Sequence, residues 1–429
     1  MAACVVKGAV KLGARLTDER AIRLLFGLMI TAATTDLGSS LFLLTGPWLM
    51  YDLTRSAFWV STVSVATGIL FWAGPALGWL VDRYDRRRLL IWALVAQGMG
   101  AGGLAWLVDH GAASVMWVLV AAVVVTAGLR LQMLAASAIR MAITPTEARL
   151  RLNSWWSIVT LLASYGAPGV AGFLLDWHGV GFALAVQGFS IVPMLVSALG
   201  LPRARATLSP TTPGGNFRHA LRALQSERGM WLFTWMMAFW NWTFAGFMAL
   251  LVFFYRDNLH FTAGQAGIAG LIGGVIPMIT ALGGSALNRR VGPGRLLMGG
   301  VMLSGLGMLA LPSLGTPLAV GGALGVMDGP IGPVLAALST MAQHRIPSHL
   351  FGRAQALRML ISMGATPTAG LAAGAAAGQL GAPPVLVGLG VATVLGGMVA
   401  AWRTPLGRVT LLGTVTPTPP PTPAPVGQD

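Results

Sequence analysis

Twelve apolar runs punctuate this chain, and nearly every charge falls between them. Their limits are 23–46, 57–80, 89–108, 114–138, 154–175, 180–200, 230–254, 264–287, 295–314, 317–341, 354–377 and 383–402. About 20 helical residues cross the hydrocarbon of a bilayer. Inside lipid each backbone N–H and C=O must be paired within the protein, which leaves helices or a closed barrel. Barrel strands would show shorter segments of alternating polarity, and these runs do not. The pattern therefore predicts an all-α membrane protein with twelve transmembrane helices, here spans 1 to 12. Charged residues make up only 10% of the 429, against 55% hydrophobic. A soluble surface needs more, since about 25% charged is usual. The 57 glycines suit a bundle whose helix backbones approach closely.

The basic residues orient the bundle. With an even number of spans both termini share a side, and placing them in the cytoplasm puts the even-to-odd loops there too. Those loops hold Arg83, Arg86, Arg87 and Arg88, then Arg140, Arg149 and Arg151, then Arg289, Arg290 and Arg295, then Arg345, Arg353 and Arg358. The opposite face receives Arg55 and Arg256, beside Asp52, Asp109, Asp176 and Asp257. This is the positive-inside bias of a multi-pass protein with both termini cytoplasmic. The net charge of +15 would suggest nucleic acid in a soluble chain. Dispersed over short loops, it argues against a nucleic-acid partner.

A domain plan follows: a tail over 1–22, a six-helix bundle over 23–200, a cytoplasmic loop over 201–229, a second bundle over 230–402, and a proline-rich tail over 403–429. The N-terminus lacks the compact apolar run and small-residue site of a cleaved signal peptide. Cys4 is the sole cysteine and the six histidines are scattered, so neither a disulfide nor a metal site is expected. No nucleophile–base pair or GxxxxGK[ST] phosphate loop is visible, so the chain reads as neither an enzyme nor an ATP-driven pump.

The two halves repeat. Pro145, Arg151 and Asn153 return as Pro347, Arg353 and Gln355, 202 residues later. Gly78, Asp82 and Arg83 return as Gly284, Asn288 and Arg289. Gly166, Pro168 and Gly172 of span 5 match Gly364, Pro367 and Gly370 of span 11. A six-plus-six duplication predicts two pseudo-symmetric bundles that rock around a central site.

The stretch GWLVDRYDRRR, Gly78 to Arg88, resembles the signature between spans 2 and 3 of the major facilitator superfamily, with Asp85 in place of the usual second glycine. Together with WLMYDLTRS before span 2 and the Pro145–Asn153 segment, it is similar to the branch containing enterobactin exporters and macrolide efflux pumps. The resemblance implies a carrier of the bacterial inner membrane that works by alternating access, usually coupled to protons. It also implies a gating loop of Gly78, Asp82, Arg83, Arg86 and Arg87. Within it, Asp82 would contact the end of a helix in the opposite half and stabilise the outward-facing state.

Charges inside spans are costly and so informative. They are Asp36 in span 1, Arg130 in span 4 and Asp328 in span 10, and the superfamily fold lines its cavity with spans 1, 4, 7 and 10. Asp36 is expected to couple protons, with Arg130 as its electrostatic partner or an anion contact. Arg130 resembles the span 4 arginine of drug–proton antiporters, although LQMLAAS after it departs from their pattern. Asn241 of span 7 stands about where Asp36 stands in the repeat. Gly166, Pro168 and Gly172 resemble the span 5 antiporter signature and are expected to bend that helix. Trp235, Phe239, Trp240 and Trp242 could stack on a substrate or face lipid.

These features read as a secondary transporter, a proton-coupled exporter of a siderophore or drug-like amphiphile. An importer or symporter of a small metabolite, or a non-transporting membrane scaffold or sensor, would share the fold. The expected partners are a small-molecule substrate, protons and the bilayer. The chain is expected to act as a monomer without a cofactor.

Overall fold

The computed structural model describes residues 19–143, 149–201, 217–346, 351–404 and 406. Pro145, Asp82's side chain, and those of Arg140, Arg149, Arg151, Asn153 and Arg353 lie outside the described parts, as do Pro347 and the tail residues 1–18 and 407–429.

All regular structure among the described residues is helical. Span 1 is Glu19–Thr54. Span 2 comprises Ala57–Gly68, a turn over Ile69–Phe71, and Gly74–Arg83. Spans 3 and 4 are Arg86–Asp109 and Val115–Ile143. Spans 5 and 6 share Arg149–Phe189, folded at Gly179, whose φ of 80° no other residue type adopts easily, and span 6 ends in Val192–Leu199. Spans 7, 8 and 9 are Arg228–Asp257, Ala263–Val291 and Pro293–Ala310. Span 10 is Pro317–Asp328 plus Ile331–Arg345, and span 11 is Phe351–Met363 plus Thr366–Leu380. Span 12 is Ala382–Arg403. Before span 7 a short helix, Phe217–Ser226, seats Leu224 in the core of the second half.

Nine of these stretches are long and apolar enough to cross a membrane alone, and one of them, Ile158–Leu199, is two crossings folded at Gly179. Span 1 and the interrupted span 2 complete the twelve. Span 1 runs eight residues beyond its expected end at 46, because the helix continues through Pro47. A single proline is tolerated in a membrane helix whose neighbours re-satisfy the freed carbonyl.

The cores reveal how the halves meet. At the arginine-poor end one core joins both, from Leu41 and Trp48 of span 1 to Phe253 of span 7 and Ala266 of span 8. At the arginine-rich end there are two cores. One gathers Val81, Leu90 and Met194 in the first half, and the other Phe233, Leu297 and Met341 in the second. The halves are thus fused at one end and separate at the other.

Glycine seams make the fusion. A Cβ on Gly172 of span 5 would stand 2.2 Å from the Ala263 carbonyl oxygen of span 8, and one on Gly267 would stand 2.7 Å from the Pro168 oxygen. In the symmetry-related seam, a Cβ on Gly374 of span 11 would overlap the Ser61 hydroxyl of span 2. Further toward the arginine-rich end the seams part. Nothing lies within 4 Å of a Cβ built on Gly74, Gly78 or Gly283, and Ile279 and Leu282 are exposed.

Candidate functional site

A cavity of about 460 Å³ lies between the halves, lined by spans 1, 2, 4, 7 and 11. Span 2 stops being α-helical at Ile69, and the turn that follows presents Phe71 to the cavity. Arg130 of span 4 lies over that ring, its guanidinium carbon 3.8 Å from the centroid. The contact is a cation–π stack. The Nε of Arg130 is buried with no hydrogen-bond partner.

The opposing wall comes from the second half. Span 11 breaks between Met363 and Thr366, freeing carbonyls at the end of its first segment. Asn241 Nδ2 donates to one of these, the Ser362 oxygen, at 3.0 Å. That bond uses one of the two amide N–H groups and leaves Oδ1 and the other N–H for further partners. Phe244 and Met248, one and two turns on, continue the wall. Trp72 Nε1, beside Phe71, donates across the halves to the Gly364 oxygen at 3.0 Å, linking spans 2 and 11.

A buried polar chain holds the first wall from behind. Ser39, at the cavity, donates to Gln97 Oε1 at 2.9 Å, and Gln97 Nε2 donates to Gln132 Oε1 at 2.7 Å. This links spans 1, 3 and 4 in a region where unpaired polar groups are expensive.

Arg130 and Asn241 thus meet at one cavity, and the other two candidate charges stand off it. Asp36 accepts from the Thr160 hydroxyl of span 5 at 3.4 Å, one turn from the cavity residue Ser40. Asp328 ends the first segment of span 10, with Oδ1 buried and without a hydrogen-bond partner. Span 10 packs behind span 8, and spans 2 and 11 take the cavity surface expected of it.

The aromatics singled out in span 7 are not among the cavity-lining residues. Trp240 is buried against Gly300 of span 9, Phe239 packs on Gly396 of span 12, Trp242 donates to the Thr368 hydroxyl at 3.0 Å, and Trp235 is exposed. Cavity aromatics come instead from Phe42, Phe71 and Phe244. Sequence reasoning passed over Phe71; its signal was the spacing Ser64, Thr67, Phe71, which puts polar and aromatic groups on one helical face.

In span 5 the helical dihedrals run through Pro168 and are lost only at Gly179. Pro168 serves as a contact, packed on Gly267 and Gly270 of span 8. Gly172 lies in the same seam, while a Cβ on Gly166 would meet nothing within 4 Å.

In the loop between spans 2 and 3, Asp85 is the N-cap of span 3 and accepts from the Arg87 backbone N–H at 2.9 Å. The residue that replaces the usual glycine therefore starts a helix. Arg87 reaches the end of span 6, where Nε donates to the Ala198 oxygen at 3.1 Å and its terminal nitrogen to the Leu199 oxygen. A cation on the last carbonyls of a helix also complements the helix dipole. Arg83 lies over Trp79, 5.2 Å from its centroid, and Arg86 Nε is buried without a partner. Asn288, the repeat counterpart of Asp82, donates to the Gly284 and Pro333 oxygens and so ties span 8 to span 10.

Two bundles of six helices around a mid-membrane cavity define a membrane transporter fold. The family model described as Major Facilitator Superfamily matches residues 28–367, and the chain belongs to that superfamily. Among solved structures, a mutant of the nucleoside transporter NupG superposes with a TM-score of 0.74 at 13% identity, over 88% of this chain and 99% of that one. A POT family transporter in complex with 5-aminolevulinic acid gives 0.71 at 12% identity, over 92% and 98%. A bacterial homologue of the iron transporter ferroportin in an inward-facing state gives 0.66 at 17% identity, over 88% and 97%. No curated protein sequence matches this chain.

Proposed function

We propose that this transporter is an exporter that carries an amphiphilic organic molecule out across the bacterial cytoplasmic membrane in exchange for protons, by alternating access. The observation that carries this reading is the cavity between the halves, sealed by glycine seams at one end and bordered by parted helices at the other. With the arginine-rich end in the cytoplasm, this is the inward-facing state, in which a substrate would load from inside. The mix of Phe42, Phe71 and Phe244 with Ser39, Asn241 and Arg130 suits a molecule with both an apolar body and polar groups. Asp36 and Asp328 are the carboxyls proposed to carry the proton, since each is shielded within a span, Asp36 bonded to Thr160 of span 5 and Asp328 with a buried Oδ1 that has no hydrogen-bond partner.

Everted vesicles test the direction and the coupling. With the lumen acidified, an antiporting exporter accumulates its substrate, and addition of that substrate dissipates the pH gradient. Amphiphiles from a panel that do both with the wild type, and neither with Asp328→Asn or Asp36→Asn, would support the reading. Accumulation that is indifferent to the gradient, or driven only by the opposite gradient, would refute it.

A further inference from the structure

We propose that the cavity binds an organic anion, with its charge on Arg130 and its apolar body along Phe71 and Phe244. This deepens the carrier reading and rests on it.

Among the described residues Arg130 is the sole charged side chain lining the cavity, and no described carboxylate there offsets it. Its guanidinium stays charged at any physiological pH. Among the described residues that group stacks on the Phe71 ring, and Nε is buried with no acceptor. A stacked ring supplies a face but no lone pair, so the in-plane N–H groups still require acceptors. The side chain is half-buried, its Nε is left without an acceptor, and a carboxylate, sulfonate or phosphate entering the cavity would supply acceptors to the guanidinium.

The far wall adds a second requirement. Asn241 spends one of its two N–H groups on the Ser362 carbonyl, so its Oδ1 and the other N–H are left for a neutral polar group on the substrate. An anion held at Arg130 with a hydroxyl or amide N–H at Asn241 would bridge the two halves. The remaining lining mixes apolar Leu43, Met248 and Met363 with the hydroxyls of Ser40, Thr67 and Thr126. An organic cation would meet a like charge and no carboxylate, so cationic amphiphiles are disfavoured.

Equilibrium dialysis of the purified full-length protein in detergent tests this with three probes of one shape: hydroxynaphthoate, hydroxynaphthamide and (hydroxynaphthyl)methylammonium. The anion is expected to bind about ten-fold tighter than the amide, the worth of a charge-assisted bond, and the cation more weakly than either. In Arg130→Gln the anion should fall to the level of the amide, and Arg130→Lys should keep part of the preference. Retained amide binding in Arg130→Gln certifies an intact cavity. Should that variant not fold, the order of the three probes on the wild type decides the question. Equal binding of anion and cation overturns the proposal. So does binding of none of the three, or an anion preference that survives Arg130→Gln, which would leave Arg130 as a support for Phe71 only. Binding is read without a gradient, so a protein that prefers anions but transports nothing refutes the carrier reading alone. Gradient-driven transport of cations refutes this inference alone.

Discussion

The carboxylate of Asp176, at the end of span 5, caps span 8 of the opposite half: Gly264 N–H donates to its Oδ2 at 2.8 Å. Ala263 N–H donates to Oδ1 at 3.0 Å, and the Thr262 hydroxyl to Oδ2 at 2.9 Å. Thr262 is itself the N-cap of span 8, in a capping box with Gln265. The free N–H groups and positive dipole end of one half are therefore satisfied by an anion from the other. Separating the halves at this end exposes both.

Asp176→Ala removes a cap worth about 1 kcal/mol, a shift of about five-fold in the balance between sealed and open forms. In a Cys4→Ser background with a reporter Ser40→Cys in the cavity, an impermeant maleimide added from the arginine-poor side should react faster. Gly264→Ala should act in the same direction, because its Cβ would stand 2.5 Å from Asp176 Oδ2. Unchanged labelling in both variants would show that this contact does not hold the seal.

A second pair crosses the halves nearby. Arg256 of span 7 bonds Asp52 of span 1, lies over Trp48 and Tyr51, and has Tyr51 bound to its neighbour Asp257 at 3.2 Å. The ionic side chains are 23% and 35% exposed, so their pairing contributes only about 0.2–1 kcal/mol and is screened by salt. Reversal to like charges should matter more than simple removal. Asp52→Arg alone is expected to raise maleimide labelling, and Asp52→Arg with Arg256→Asp to lower it again. Failure of the double reversal to recover any protection would assign the effect to the aromatic packing around Arg256.

Arg87 is expected to stabilise the fold rather than the gate. It bridges two terminal carbonyls of span 6 from the start of span 3, within the first half. Arg87→Ala should cost about 1–2 kcal/mol and lower the melting temperature of the purified protein. Arg87→Lys should recover only part of this, since an ammonium lacks the planar fork that spans two acceptors. An unaltered melting temperature with slowed transport would instead favour a gating role.

Much of this architecture was legible from sequence, because lipid imposes a strict rule on the backbone and topology imposes one on arginine. The twelve spans, their order and the repeat of Gly166–Gly172 in Gly364–Gly370 all follow from local pattern. The resemblance, not local pattern, put Asp36, Arg130, Asn241 and Asp328 on one site, and of these Arg130 and Asn241 line the cavity while Asp36 and Asp328 stand off it. Helix rotation was not legible. Span 7 is aromatic on several faces, and only its neighbours decide that Phe244 meets the cavity while Trp240 meets Gly300. The breaks in spans 2 and 11 bring both helices into the lining, and a break is written in sequence only as Gly or Pro that elsewhere leaves the helix intact, as at Pro47 and Pro168. Asp176 read as one more acidic residue at a membrane edge, since an inter-half cap leaves no local mark.

The glycines themselves offer the sharpest test of how the halves move. Gly172 is in tight contact now, with no room for a Cβ against Ala263 and Gly267. Gly172→Val should therefore wedge the arginine-poor end apart and raise labelling of the Ser40→Cys reporter from that side. Gly78 faces open space in the same structure, so Gly78→Val costs this state nothing. If alternating access closes the arginine-rich end by bringing span 2 against its partner there, that valine obstructs the closed form and holds the protein as seen here. Labelling from the arginine-poor side should then fall below the wild-type rate. Opposite shifts from the two substitutions, small-to-large changes in two helices of one bundle, are what a rocking motion about the cavity requires. Shifts of the same sign would mean that positions 78 and 172 do not lie on opposite sides of the pivot.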